Sequence, residues 1–228
     1  MVLNVPGLSN GVVEKVSMPL LDAAGRSDHG MHDALLDVAE QLFRHIGHRK
    51  TTIEDIAAEV GKSRASVYRF FPTRGSINHG VYARWAQREL DVLDQDAEMA
   101  TSASIRVAHV LTRLNGRARE RVICQPNVHA LWVAAALEDW PVHHAYFRTL
   151  TTGFATIMGR DEGTSHLQGS SAFYMAQGIV TAMMAHLHPV LLEERMKRQK
   201  DAEADLKAHI AFVLKALNPP CLGGTCGR

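Results

Sequence analysis

Residues 51–74 read TTIEDIAAEVGKSRASVYRFFPTR, and they divide into two short helices about a glycine turn. Thr51 and Thr52 precede an apolar-periodic run. Thr51 with Glu54 has capping-box spacing, and Thr52 with Asp55 is the less ideal alternative. Ile53, Ala57 and Val60 then recur at i, i+4 and i+7, with Ile56 beside them, which predicts one helix with a single buried face. Gly61 suits the left-handed position after a helix C-terminus. Ser63 can cap a second helix, and Pro72 closes it. Two helices separated by a turn of a few residues have the spacing of a helix-turn-helix.

The second of these helices decides what the unit can do. On a helical wheel Val67, Phe70 and Phe71 cluster on one side, while Arg64, Ala65, Ser66, Tyr68 and Arg69 spread over the opposite arc. A helix that enters the major groove needs that division, with an apolar side for its own domain and donors for bases and phosphates. Ala65 is small enough for the backbone to come close to a duplex. Arg49, Lys50, Lys62, Arg64, Arg69 and Arg74 outnumber Glu54, Asp55 and Glu59 in and around the motif. The same geometry also serves as plain scaffold with solvated charges, and the wheel alone leaves both readings open.

Residues 31–85 resemble the N-terminal domain of the TetR family of bacterial transcriptional repressors. The segments that carry the resemblance are ALLDVAEQLFRHIG, TTIEDIAAEVG and KSRASVYRFFPTR. Asp55-Ile56-Ala57, Gly61, Ser63, Ser66, Tyr68, Phe71-Pro72 and Arg74 fall on the family pattern. Three positions depart from it. Lys62 stands where an apolar residue is usual, Ala65 replaces a common Gly, and Phe70 stands where a His often touches phosphate, so no such contact is assigned to Phe70.

The resemblance implies that Arg64 and Ser66 face base edges, with Arg64 able to pair bidentately with guanine. Thr51 and Thr52, at the start of the first motif helix, are expected to hold a phosphate with nearby backbone N–H groups. Tyr68 is expected on phosphate or a thymine methyl, and Lys62 and Arg74 on the backbone. Ser63, Ala65, Arg69 and Thr73 complete the expected interface.

A chain of 228 residues with net charge +1 is not basic overall. Its positive charge is concentrated in the motif, which suits a site-specific reader better than a general coat on nucleic acid. No uninterrupted apolar run, the one through Leu131–Leu137 included, approaches a membrane span. The first residues lack a basic region followed by an apolar core. Three cysteines, Cys124, Cys221 and Cys226, are too few for a secreted disulfide scaffold. These features predict a cytoplasmic chain without a membrane partner.

The predicted fold is all-α, with about nine helices. Residues 1–27 read as a disordered arm, 28–74 as the three-helix DNA-binding domain, 75–217 as a helical bundle for effector binding and dimerisation, and 218–228 as a flexible tail. The first helix is expected over residues 28–46, with Gly47 ending it. A long fourth helix is expected from about Thr73 to Glu98. No strand alternation and no phosphate-binding glycine signature appears beyond it.

The last two long segments, 166–187 and 190–217, carry apolar stripes. Ala172, Met175, Ala176, Ile179, Val180 and Met183 lie on the first, and Ile210, Val213, Leu214 and Leu217 on the second. These stripes can form a four-helix contact in a homodimer, or face only their own core. Two-fold symmetry would let two heads read a palindromic operator in double-stranded DNA.

The resemblance further implies a small, largely apolar effector inside the bundle. Trp132, Phe147 and Phe173 are its expected contacts, although aromatic residues at helical spacing more often belong to a core. Thirteen histidines include His143-His144 and His186 with His188. Neither pair has ligand spacing, so no metal and no cofactor is expected. No nucleophile motif or paired carboxylates support an enzyme. The leading expectation is a ligand-responsive repressor, and the alternative is an all-α interaction module or enzyme that no longer binds DNA.

Overall fold

The computed structural model of the protein describes residues 26–97, 102–159, 170–198 and 201–217. The expected N-terminal arm, apart from its last two residues, and the Cys221–Cys226 tail lie outside them. The described residues form eleven helices and no strand: α1 (Arg26–Ile46), α2 (Ile53–Val60), α3 (Arg64–Phe70), α4 (Arg74–Ala97), α5 (Ala103–Cys124), α6 (Pro126–Leu137), α7 (Pro141–Gly159), α8 (Ser170–Ala182), α9 (Met184–Leu187), α10 (Pro189–Arg198) and α11 (Ala202–Leu217).

The count exceeds about nine because both of the last predicted segments are divided. Met183 interrupts the first of them, and His188 takes an extended backbone (ψ 128°) after α9. Proline disfavours helical geometry in the residue before it, and Pro189 follows His188. Asp201 divides the second segment. Its carboxylate accepts the backbone N–H of Ala204 at 3.0 Å, an N-cap that opens a new helix.

The head consists of α1, α2, α3 and the start of α4. Leu35, Ala39 and Phe43 of α1 meet Ile53, Ile56 and Ala57 of α2, Val67 and Phe71 at α3, and Ile77 of α4, all buried in one core. Polar contacts fix α1 against α4 as well. The nearly buried Glu40 carboxylate accepts Nη1 and Nη2 of Arg88 at 2.7 and 3.0 Å and the indole N–H of Trp85 at 3.0 Å. Arg84 bridges Asp33 and Asp37 of α1 at 2.8 and 2.7 Å.

The same α4 enters the body, where it packs along α5 and α7. Sequence explains why α6 sits at the centre of that body. PNVHALWVAAAL is apolar on every face, and such a helix is stable only when surrounded. Pro126 begins it at a position where no N–H is needed. α6 touches α1, α4, α5, α7 and α10, so it bears on both head and body. At its start, Asn127 Nδ2 donates to the last carbonyls of α1, Arg44 O at 3.0 Å and His45 O at 3.1 Å.

The apolar stripes on α8 and α11 face their own chain. Ala172, Ala176, Ile179, Val180, Met183, Ile210 and Val213 are buried in the core, and Met175 and Leu214 pack partly against it. They are therefore not available as the dimer contact expected of them. The outer faces of the same helices carry a different set, with Tyr174 and Phe212 each 70% exposed and Phe173 40%.

Two glycines test this packing. A Cβ on Gly116, in the middle of α5, would meet nothing within 4 Å. A Cβ on Gly153 of α7 would fall 2.5 Å from Cδ1 and 3.3 Å from Cγ of the buried Leu93 on α4. Gly116→Ala is expected to raise stability by about 0.5–1 kcal/mol, the usual helix-interior gain. Gly153→Ala has the same propensity gain but overpacks the α4–α7 contact at a cost of about 1–3 kcal/mol, so it is expected to lose stability. Urea unfolding midpoints of the two variants check the difference, and equal gains would contradict the close approach of α4 and α7.

Candidate nucleic-acid interface and internal cavity

Thr52, not Thr51, caps α2. Thr52 Oγ1 accepts the backbone N–H of Asp55 at 3.1 Å, and the Asp55 carboxylate accepts the Thr52 backbone N–H at 2.8 Å, closing a capping box. The Thr52 backbone N–H, and then its hydroxyl donating at 2.7 Å, hold the Asp55 carboxyl below its usual pKa. Thr51 is 1% exposed, and its hydroxyl donates to Gly47 O at 3.0 Å. Its expected phosphate contact is therefore corrected: the chain turns at Gly47 (φ 86°) and tucks Thr51 beneath the end of α1.

Gly61 takes the left-handed conformation (φ 69°) that ends α2, and its N–H returns to the carbonyls of Ala57 and Ala58. Ser63 then caps α3, with its Oγ accepting the Ser66 N–H at 3.2 Å and lying 3.0 Å from Ser66 Oγ. Val67 and Phe71 are buried and Phe70 is half-buried. Consequently Arg64, Ala65, Tyr68 and Arg69 stand exposed on the outer arc, with Tyr68 41% exposed. Lys62 lies exposed in the turn.

The basic residues are not idle in the unbound head. Arg64 Nε bridges Glu54 of α2 at 2.8 Å. Arg69 lies over the Phe70 ring at 4.7 Å. Arg74, the first residue of α4, donates to the backbone carbonyl of His48. Thr73 and Ser76 cap the start of α4 reciprocally, with Ser76 N–H to Thr73 Oγ1 at 3.0 Å and Thr73 N–H to Ser76 Oγ at 3.3 Å. Thr52, Lys62, Ser63, Arg64, Ala65, Ser66, Tyr68, Arg69, Thr73 and Arg74 thus share one end of the molecule, and only Thr51 of the expected set is withdrawn.

The body contains a cavity of about 500 Å³ between α7 and α8. From α7 come His143, His144, Phe147, Arg148 and Thr151. From α8 come Phe173, Gln177, Val180 and Thr181, and Ala136, Asp139, Met184 and His188 complete the wall. Of the aromatic residues expected here, Phe147 and Phe173 line the cavity and Trp132 does not. Trp132 is 1% exposed, set 4.7 Å from Tyr82 and 5.2 Å from Tyr146 by ring centroids, with the Arg121 guanidinium 4.2 Å above it. Residues 143, 147 and 151 and residues 173, 177 and 181 are each spaced by four, so the two facing stripes, each of one aromatic and two polar residues, have a helical signal in the sequence. Nothing local showed that the two would face each other.

His143 ties the cavity to α4. Its Nδ1 lies 2.8 Å from the hydroxyl of Tyr82, which is fully buried. Burial first, then the neighbouring His188 and His144, pushes the His143 pKa down to about 4. Burial also holds Tyr82 well above the ordinary phenol value. At the mouth, Asp139 has an unusual positive φ of 57°, and its carboxylate meets His144 Nε2 at 2.6 Å.

A second histidine cluster joins α9 to α11. His186 Nε2 lies 2.9 Å from His209 Nδ1, and Asp205 completes a set whose ligand atoms lie within 4.8 Å of one another. Such donors can hold a metal. Here Arg195 bridges Asp205 and lies 3.4 Å from His209, so the carboxylate is already matched by a guanidinium. The sequence pairing of His186 with His188 is not what the fold brings together. Burial, then Arg195 and His209, depresses the His186 pKa to about 4.

Both depressed histidines make stability depend on pH. Their pKa values lie near 4 in the folded chain against 6.5 ordinarily, so between those values the unfolded state binds more protons. Stability is therefore full above pH 6.5 and is lost as pH falls toward 4. The thermal midpoint is expected to fall over that interval, and His186→Gln is expected to flatten the fall. An unchanged slope in the variant would contradict a neutral, buried His186.

Residues 35–77 match the family described as bacterial regulatory proteins, tetR family. No curated protein matches the chain in sequence. Among solved structures, FadR of Thermus thermophilus, a TetR-family repressor in complex with lauroyl-CoA, aligns with a TM-score of 0.59 at 17% identity, over 86% of this chain and 98% of that one. RolR in complex with resorcinol aligns with a TM-score of 0.60 at 15% identity, over 84% and 89%. A TetR regulator from Rhodococcus sp. RHA1 aligns with a TM-score of 0.57 at 14% identity, over 86% and 100%. At these identities the likeness establishes a shared fold, which runs through head and body alike. The head thus matches the TetR-family model over residues 35–77, and head and body together share the fold of TetR-family regulators.

Proposed function

We propose that the protein is a ligand-responsive repressor that binds a palindromic operator as a homodimer and releases it when a small molecule enters the α7–α8 cavity. The observation that carries this reading is the two-sidedness of α3. Val67 and Phe71 are locked into the head, and Arg64, Ala65, Tyr68 and Arg69 project from it. A seven-residue helix held this way can lay its outer arc in the major groove, with the capped starts of α2 and α4 offering N–H groups to flanking phosphates.

The outer faces of α8 and α11 support a dimer. Tyr174 and Phe212 are large apolar side chains left in solvent, which a two-fold contact would cover. FadR and RolR were each solved with a small molecule, lauroyl-CoA and resorcinol. The cavity here is walled by more polar groups than a largely apolar effector would need. A hundredfold loss of operator affinity requires that the effector favour the released form by about 2.7 kcal/mol. No helix of the described residues is long and apolar enough to cross a membrane.

Fluorescence anisotropy with duplexes from the protein's own promoter region tests the assignment. Arg64→Ala is expected to cost about 1–3 kcal/mol and to relax specificity at one base pair. Arg74→Ala is expected to weaken all sequences alike and to lower the salt slope by about one. Equal losses from both variants on every duplex would contradict the division of roles. Phe212→Asp is expected to yield monomers in sedimentation velocity, and an unchanged dimer would move the subunit contact elsewhere.

A further inference from the structure

His143 brings a defined polar group to the cavity wall. The Tyr82 hydroxyl has one partner among the described residues, Nδ1 of His143 at 2.8 Å. If His143 carried its proton on Nδ1, that proton would go to Tyr82 and the buried phenol proton would face no acceptor. An unsatisfied buried donor is costly. The phenol therefore donates to Nδ1, and the single proton of the neutral imidazole sits on Nε2. Helix α4 thus fixes one tautomer of His143 and leaves an N–H donor for the cavity that the ring lines.

Two further groups narrow the ligand. Arg148 is exposed at the cavity edge and has no carboxylate partner among the described residues, whereas Asp139, the one acid in the wall, is matched by His144. The lining therefore leaves the Arg148 guanidinium, and not the Asp139 carboxylate, without a protein partner among the described residues and turned to face a ligand. Nδ1 of His188 is buried without a hydrogen-bond partner among the described residues. Its ring lies edge-on to His143 at 5.5 Å and nearly parallel to Phe147, at 14° and 6.3 Å. With Phe173 also in the wall, the apolar surface is chiefly aromatic, and about 500 Å³ is ample for one substituted ring.

We propose that this cavity takes a small aromatic acid: a planar ring lying among Phe147, Phe173 and His188, a carboxylate facing Arg148, and an oxygen that accepts the Nε2–H of His143. The proposal rests on reading the cavity as the effector site and deepens it. Tyr82 is a positioning residue, since it acts on the ligand only through the tautomer of His143.

Isothermal titration of the full chain with 2-hydroxybenzoate, benzoate, phenol and benzylamine tests the ligand class without DNA. The expected order is 2-hydroxybenzoate tightest, benzoate and phenol weaker, and benzylamine unbound. Arg148→Gln, at an exposed position, is expected to weaken both acids at least tenfold and to leave phenol unchanged. Tyr82→Phe is expected to weaken 2-hydroxybenzoate, and long-range proton–nitrogen NMR is expected to show the Nε2-protonated His143 tautomer in the wild type and a mixture in this variant. Preference for benzylamine or phenol, failure of all four probes to bind, or an Nδ1-protonated His143 would overturn the proposal. If an acid binds but leaves operator affinity unchanged, the effector role falls while the ligand class stands.

Discussion

Helix α4 must pack in the head and in the body at once, and the rest of the structure is arranged around that constraint. Its first turns close the head through Ile77 and Val81, and its later turns enter the body, where Leu93 meets Gly153 of α7. Between them, Trp85 and Arg88 grip Glu40 of α1 while Tyr82 reaches His143 of α7. Any change in the position of α7 relative to α4 is therefore felt where α1 packs. Protein interiors are close-packed and do not deform continuously, so the α4 contacts offer a route by which such a shift would reach the head. Helix α6 supplies a second tie, since Asn127 at its start caps the end of α1.

Much of this was legible in the sequence because helix boundaries are chemically punctuated. The Gly61 turn, the Ser63 cap and the inward set of Val67 and Phe71 follow from local rules and recur in the structure. Thr51 and Thr52 show where local rules stop. Both precede the same helix with the same i, i+3 spacing, and the more usual capping-box partner, Glu54, belongs to Thr51. The outcome is decided by Gly47, whose left-handed turn buries Thr51 and leaves Thr52 at the cap. The boundary at Pro189 was legible between the last two segments, but Met183 gives no warning of a break within the first of them.

The candidate cavity was less legible because it depends on which helices meet. Trp132, Phe147 and Phe173 look alike in a sequence, yet Trp132 is enclosed by Tyr82, Tyr146 and Arg121 while the other two line open space. The apolar stripes of α8 and α11 posed the same ambiguity. Periodicity says that a face is buried without saying by what, and here the chain buries it itself. The histidines carry most of the chemistry that composition concealed. His143 and His186 are buried, neutral and hydrogen-bonded to partners more than twenty residues away, which no spacing rule finds.

On the function proposed, α3 is a reading helix, used twice in a symmetric particle. Selection of the purified chain against a pool of randomised DNA duplexes measures this most directly. The account predicts enrichment of an inverted repeat whose half-site centres lie about one helical turn or more apart. Enrichment of no sequence, or of a lone half-site without its mirror image, would contradict it.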